Sequence, residues 1–387
     1  MSRKKERAES TPKGEGTASP PTRERQRNPA EIEFGSELAA LSVNDTGDRP
    51  LGWRLSPRAV REFICGREQP LELDGRSVEV KRKFFGDDAL VERAIITLAT
   101  DRGLMLIGEP GTAKSMLSEL LAAAISGASH LTIQGSAATT EDQIKYTWNY
   151  ALLLAKGPSR EALVPGPLFQ GMSGGRITRF EEITRCPLEV QDVIVPVLSE
   201  RLLIVPELGD AGLLFARPGF NIIATANTRD RGVNEMSSAL KRRFNFETVQ
   251  PIPELADELE LVHREVGHQL DQLGVGVRME RDVAELLVTT FHELRSGRTV
   301  EGAAIQQPGG VISTAEAVAV GLSASLHAKY YGDGKPGPEE IVRHLAGSLL
   351  KEADDRKALK AYFDVTVKAR AANHESWKQF YRARRLI

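Results

Sequence analysis

Eight residues, GEPGTAKS at 108–115, constrain this chain more than any other stretch. They follow an all-apolar run, LMLI at 104–107, and lead into MLSELLAAAISG, whose apolar residues recur at helical spacing up to a glycine stop at Gly127. A short apolar run suits a strand buried on both faces, so the order is strand, glycine-rich loop, helix. A phosphate-binding loop requires that order, because backbone N–H groups converge on the anion and the positive end of the helix adds to the field. In this pattern Gly108, Glu109, Pro110, Gly111, Thr112 and Ala113 form the cradle, Lys114 reaches the terminal phosphates and Ser115 offers its hydroxyl to Mg²⁺. The pattern G-x-x-x-x-G-K-[ST] has glycine where Ala113 stands. A methyl group fits there if φ is negative, since only a left-handed backbone calls for glycine. The other reading of the segment is a strand-to-helix turn that uses Gly and Pro for geometry alone.

Hydrolysis needs more than a cradle: a carboxylate near the metal and a group that deprotonates or orients water. Glu181 and Glu182 close the next apolar run, GRITRFEEI at 175–183, where a strand would emerge beside the loop. Glu181 is the candidate support for the metal and Glu182 the candidate base. The usual pair is Asp then Glu, so Glu181 is one methylene longer. Asn227 ends a third apolar run, FNIIATANT at 220–228, where its amide could bond a phosphate or hold water. In ALKRRFNF, Arg242 and Arg243 could stabilise charge on the transferred phosphoryl group, in cis or from a neighbouring subunit. Taken singly, a Glu-Glu pair is common on a solvated face, an Asn at a strand end is often a turn residue, and paired basic residues are often surface. Their order and position relative to the loop give them weight.

Strands separated by helical stretches imply an α/β fold, a doubly wound parallel sheet with helices on both faces. The expected organisation is a disordered N-terminal tail over 1–50, a small extension over 51–83, the α/β nucleotide-binding domain over 84–250, a helical lid domain over 251–335 and a helical extension over 336–387. The first thirty residues hold almost no large apolar side chain, so nothing there offsets the entropy of ordering them. Within 51–83, Ser56-Pro57 starts a short helix that ends at Gly66, and Asp74-Gly75 turns a hairpin. From Pro251 the segments are charged and helix-periodic.

Composition removes several classes. No apolar run reaches the 18 or so residues of a membrane span and no leader-like apolar stretch opens the chain, so a cytoplasmic protein is expected. Two cysteines, Cys65 and Cys186, are too few for a disulfide framework or a four-cysteine zinc site. The formal net charge of −2 provides no global field for nucleic acid, which is therefore an unlikely partner.

Together GEPGTAKS, RITRFEEITR, IIATANT and ALKRRFNF resemble the AAA+ ATPases, most closely the MoxR-type branch and its dynein-related relatives, over about residues 84–335. FFGDDALVERAI looks like that branch's segment packing near adenine, and VPGPLFQG at 164–171 is similar to its approach to the acidic strand. The family commonly has Ala before the loop lysine. The resemblance implies ATP and Mg²⁺ as ligands, with Lys114 and Ser115 on phosphates and metal, Glu181 supporting the metal, Glu182 activating water and Asn227 as sensor. Arg243, with Arg242 beside it, would be the finger reaching the next subunit's site in a homo-oligomeric, hexameric ring. Two inserts, 139–165 and the hairpin 201–219, match inserts that in the family face the pore or one end of the ring. The family's lid arginine, in a Ser-x-Arg arrangement, is absent: Ser313-Thr314-Ala315 has alanine in its place, leaving Arg278 or Arg281 as substitutes.

The function so implied is an ATP-hydrolysing, chaperone-like remodeller of a protein client, working with a von Willebrand A-domain partner, its turnover slowed by the lid departure. Two other readings stay open: a nucleic-acid-linked motor or restriction/defence NTPase, and an assembly ATPase of the gas-vesicle type. No base-reading motif in the sequence distinguishes adenine from guanine.

Overall fold

The computed structural model describes residues 27–228, 235–310, 312–352 and 354–387. Five strands, β1 (Gly103–Gly108), β2 (Thr132–Gln134), β3 (Thr178–Glu181), β4 (Ile222–Asn227) and β5 (Phe244–Val249), form one parallel sheet in the order β5-β1-β4-β3-β2. Successive side chains on a strand point to opposite faces, and both faces are covered here. Leu104 and Leu106 pack in one core with the helix Lys114–Ser126, while Met105 between them joins a second core on the opposite face. In the same way Ile223 belongs to the first core and its neighbours Ile222 and Ala224 to the second. This double burial explains why the inner strands read as unbroken apolar runs.

The local signals around the extension form as their chemistry dictates. Ser56 accepts the Ala59 N–H to cap the helix Pro57–Cys65, and Gly66 ends it at φ 84°. Asp74 and Gly75, both at positive φ, turn the hairpin between Leu71–Leu73 and Arg76–Val78. The disorder expected over 1–50 is contradicted from residue 30 onward. Helices Ala30–Glu33 and Gly35–Asn44 lie inside that range, and residues 1–26 fall outside the described residues. These helices are ordered by the folded domain: Ala40 and Leu41 are buried, and Phe34 meets Phe63 edge-on at 6.0 Å. Glu31 accepts from Ser129 Oγ at 2.7 Å, and Glu119 accepts the Ala30 N–H. Ala30, Phe34, Leu38, Ala40 and Leu41 supply the apolar contact, so the change in composition lies near residue 30 rather than near residue 50.

After β5 come helices Leu255–Gln272, Arg281–Ser296, Thr314–Tyr331, Pro338–Leu349, Asp355–Tyr362 and Glu375–Arg382. One apolar core runs through them from Leu259 to Ala383, with Phe363 and Phe380 rings 4.9 Å apart. The division expected at 335/336 therefore does not correspond to a break in packing. The inserts form two small antiparallel pairs, Tyr146–Trp148 with Leu163–Pro165 and Leu202–Ile204 with Leu213–Phe215. They touch each other: Tyr146 donates to Glu207 at 3.0 Å and Arg160 to the Ala211 carbonyl at 2.8 Å. No described helix is long and apolar enough to cross a membrane.

The register sets up the site. Gly108 lies beside Asn227 on one side and Val249 on the other, and Glu181 lies beside Gln134. The C-terminal ends of the strands thus share one rim, where ligands of open α/β sheets bind.

Candidate nucleotide site

Along this rim runs a cavity of about 470 Å³, closed on its far side by the helical domain. Its floor is the glycine-rich loop. Gly111 has φ 78°, and a Cβ there would lie 2.2 Å from Ser313 Cβ, so only glycine admits this contact. Ala113 has φ 64° and ψ 22°. The negative φ that would make its methyl free of strain is therefore not what the chain adopts. A left-handed non-glycine residue costs roughly 1–2 kcal/mol, which the loop carries at the start of the helix Lys114–Ser126. Lys114 Nζ turns back onto its own loop, donating to the carbonyls of Gly108 at 3.0 Å and Glu109 at 2.6 Å. Thr112 Oγ1 donates to the Glu109 carbonyl at 2.9 Å.

The longer side chain of Glu181 reaches the loop directly. Its Oε2 accepts from Ser115 Oγ at 2.7 Å and Thr225 Oγ1 at 2.8 Å; its Oε1 accepts from Ser118 Oγ at 2.6 Å and Arg179 Nη2 at 2.8 Å. Burial pushes this carboxyl up, but the Arg179 charge and three hydroxyl donors outweigh it, so Glu181 sits below its ordinary range. It is held as a carboxylate beside the Ser115 hydroxyl, a hard oxygen pair suited to a divalent cation. Arg179, Ser118 and Thr225 escaped the sequence reading. Arg179 alone left a trace, since it stands two residues before Glu181 and so shares its face of the strand.

Glu182 leaves the strand in a left-handed turn, φ 53° and ψ 44°. Its N–H donates to Thr225 Oγ1 at 3.0 Å, and its Oε2 meets Arg185 Nε at 2.9 Å. Thr225 thus joins both glutamates, accepting from one backbone and donating to the other carboxylate. Non-glycine residues in this conformation are rare and cluster at functional sites. Glu182 and Asn227 both line the cavity.

Arg242 and Arg243 are not brought to it. The Arg243 carbonyl accepts the Gly103 N–H, which places it at the opposite end of β1 from the loop. At about 3.3 Å per residue, the strand separates them by roughly 17 Å. Arg243 donates to the Ala239 carbonyl at 2.7 Å and to Ser199 Oγ, and Arg242 beside it is exposed. Neither side chain serves this cavity within one chain.

On the helical side, Ser313 caps Thr314–Tyr331 in a reciprocal pair with Glu316, and Ala315 faces the cavity. Neither Arg278 nor Arg281 lines it, and Arg278 is paired with Asp271. Among the described residues, the arginine that does is Arg295. It grips the buried Glu258 with two bonds, Nη1 to Oε1 at 2.7 Å and Nη2 to Oε2 at 2.5 Å. Thr314 Oγ1 donates to the same carboxylate at 2.6 Å, and His292 Nδ1 lies 2.9 Å from it. Burial raises the Glu258 pKa, but His292, Arg295 and Thr314 override it and bring it to about 2. The remainder of the cavity is lined by Phe85, Ile252, Leu261 and Val318 with Gln250, Glu265 and Gln269, an apolar slot with polar edges that suits a flat base.

This fold and rim define an AAA+ nucleotide-binding protein. Residues 103–244 match the AAA domain of the dynein-related subfamily, and residues 256–387 match the YehL-like AAA+ ATPase C-terminal domain. The chain is 50% identical to the uncharacterized protein YehL of Escherichia coli (strain K12) over 368 residues, 95% of this chain and 99% of that one. It is 29% identical to the chaperone MoxR1 of Mycobacterium tuberculosis over 188 residues, covering 48% of this chain and 46% of that one. Among solved structures it is similar to NtrX from Brucella abortus in complex with ADP, 15% identical over 77% of this chain and 65% of that one, TM-score 0.45. The chain belongs to the family of YehL and carries a dynein-related AAA domain followed by a YehL-like AAA+ ATPase C-terminal domain.

Proposed function

We propose that this chain binds ATP with Mg²⁺ at the rim, hydrolyses it within a homo-oligomeric ring, and uses the cycle to remodel a protein client. The observation that carries this reading is the Ser115–Glu181 contact at 2.7 Å, flanked by Lys114, Glu182 and Asn227. The loop N–H groups and Lys114 would bind the phosphates, and Ser115 with Glu181 would hold the metal. When bound, Mg²⁺ would neutralise charge on the transferred phosphoryl oxygens. Glu182 would take the proton of the attacking water, and Asn227 would orient that water or the terminal phosphate. Arg243, too far to serve its own site, would act in a neighbour's, which makes the ring part of the chemistry.

The paired inserts support a client surface, since Leu154 and Phe215 on them are 89% and 65% exposed. A hexamer and a von Willebrand A-domain partner follow from the family likeness. Glu182→Gln is the test: ATP binding is retained while turnover falls about 100-fold or more, the range of a lost general base. Unchanged turnover in this variant rules the assignment out. Arg243→Ala should abolish turnover while leaving binding intact, and mixing it with Lys114→Ala chains should recover activity if the arginine acts across an interface.

A further inference from the structure

Among the described residues lining the cavity there are only two cations, Lys114 and Arg295, against the carboxylates Glu109, Glu182 and Glu265. A nucleoside triphosphate carries several negative charges, and Lys114 comes from the α/β domain alone. Among the described residues, Arg295 is the one cation the helical domain presents to the cavity, although it lies on the helix Arg281–Ser296 and not at the start of Thr314–Tyr331. Its side chain is 12% exposed, and its two terminal nitrogens are anchored by Glu258. A guanidinium has five N–H donors in a fixed fork, so two bonds to Glu258 leave donors for a second anion. The same Glu258 also holds Thr314, next to Ser313, which rests on Gly111 of the phosphate loop. Arg295 is therefore fixed to the edge of the helical domain that meets the loop.

We propose that Arg295 is this chain's helical-domain contact to the nucleotide's phosphate chain, supplied from a different helix than the position occupied by Ala315, with Glu258 as its positioning residue. The inference rests on the nucleotide reading of the same cavity. Binding the polyphosphate tail between Lys114 and Arg295 ties the helical domain to the loop, so the number of phosphates sets how firmly the two domains close.

The test compares ATP, ADP and AMP affinities of the full chain by titration with fluorescent analogues, alongside thermal melts. Arg295→Gln should weaken ATP by at least about tenfold, the scale of a lost charge-assisted bond, while AMP changes less than about threefold. Adding Ala315→Arg returns a cation to the same wall without rebuilding the Glu258 pair, and should recover ATP affinity at least about threefold. Equal loss for all three nucleotides, no loss for ATP, or a selective loss without recovery overturns the assignment. If Arg295→Gln does not fold, the same comparison is made on Glu258→Gln/Arg295→Met, which removes both buried charges together. Lys114→Ala separates the two levels: if wild type and this variant bind ATP equally, the nucleotide reading fails and Arg295 falls with it.

Discussion

Ala113 shows how one methyl group is tolerated in a loop whose usual residue is glycine. Its left-handed backbone is strained, but the residue also packs partly against the core beneath the loop. Ala113→Gly should relieve the strain while adding entropy to the unfolded chain, terms of about 1–2 and 0.4–1 kcal/mol. A net gain of roughly 0.5 kcal/mol is expected, read as a higher urea midpoint with ATP binding preserved; a lower midpoint would show that the methyl's packing dominates. At Glu181, by contrast, the extra methylene spans the gap between sheet and helix. Glu181→Asp should draw the carboxylate back from Ser115 and Ser118 and weaken Mg²⁺-dependent binding of ATP more than metal-free binding, measurable by titration with and without the cation.

At the scale of elements, the two helices over residues 30–44 behave as a strap across the phosphate-loop helix. Phe34 contacts the Phe63 ring, and Lys83 Nζ stands 4.8 Å from the Phe34 ring and 4.3 Å from that of Phe63. Lys83 is itself buried and ion-paired with Glu37 at 2.5 Å. Phe34→Ala should lower stability by about 1–3 kcal/mol, from lost apolar burial and lost ring contacts, seen in a thermal melt. An unchanged melt would mean the strap is not coupled to the domain. The paired inserts are a different kind of element. Each is a short ribbon that could not stand alone, and their mutual contacts through Tyr146–Glu207 and Arg160–Ala211 make them one projecting unit.

Across the whole molecule, the Glu258 network joins three helices of the helical domain, through His292 and Arg295 on one and Thr314 on another. Its folded pKa of about 2 lies below the ordinary 4.5, so the folded state binds this proton less readily than the unfolded one. Its contribution is present above about pH 4.5 and is lost as pH falls toward 2. The urea midpoint should therefore drop through this window in wild type, and Glu258→Gln should flatten that part of the profile while lowering the plateau at neutral pH. A second expectation concerns assembly: Glu182→Gln with ATP should form a larger species by light scattering than the nucleotide-free protein, and a persistent monomer would contradict an arginine acting between chains.

The sequence by itself determined the parts whose physics is local. A doubly buried strand needs an unbroken apolar run, a left-handed stop needs Gly127 or Gly66, and a two-residue turn needs Asp74-Gly75. The loop, the two glutamates and Asn227 were legible because each follows directly from a strand end. Only the tertiary structure decided the rest. The order β5-β1-β4-β3-β2 depends on pairing between distant segments, and β2, three residues long, carries too little pattern to announce itself. Arg179, Ser118 and Thr225 became Glu181's partners through three separate elements, and Arg242 and Arg243 were carried to the far end of the sheet by strand direction. Arg295, not Arg278 or Arg281, faces the cavity because Glu258 on a neighbouring helix fixes where its guanidinium lies. Side-chain chemistry is written residue by residue, whereas the meeting of charges from four helices and strands is a property of the packed chain.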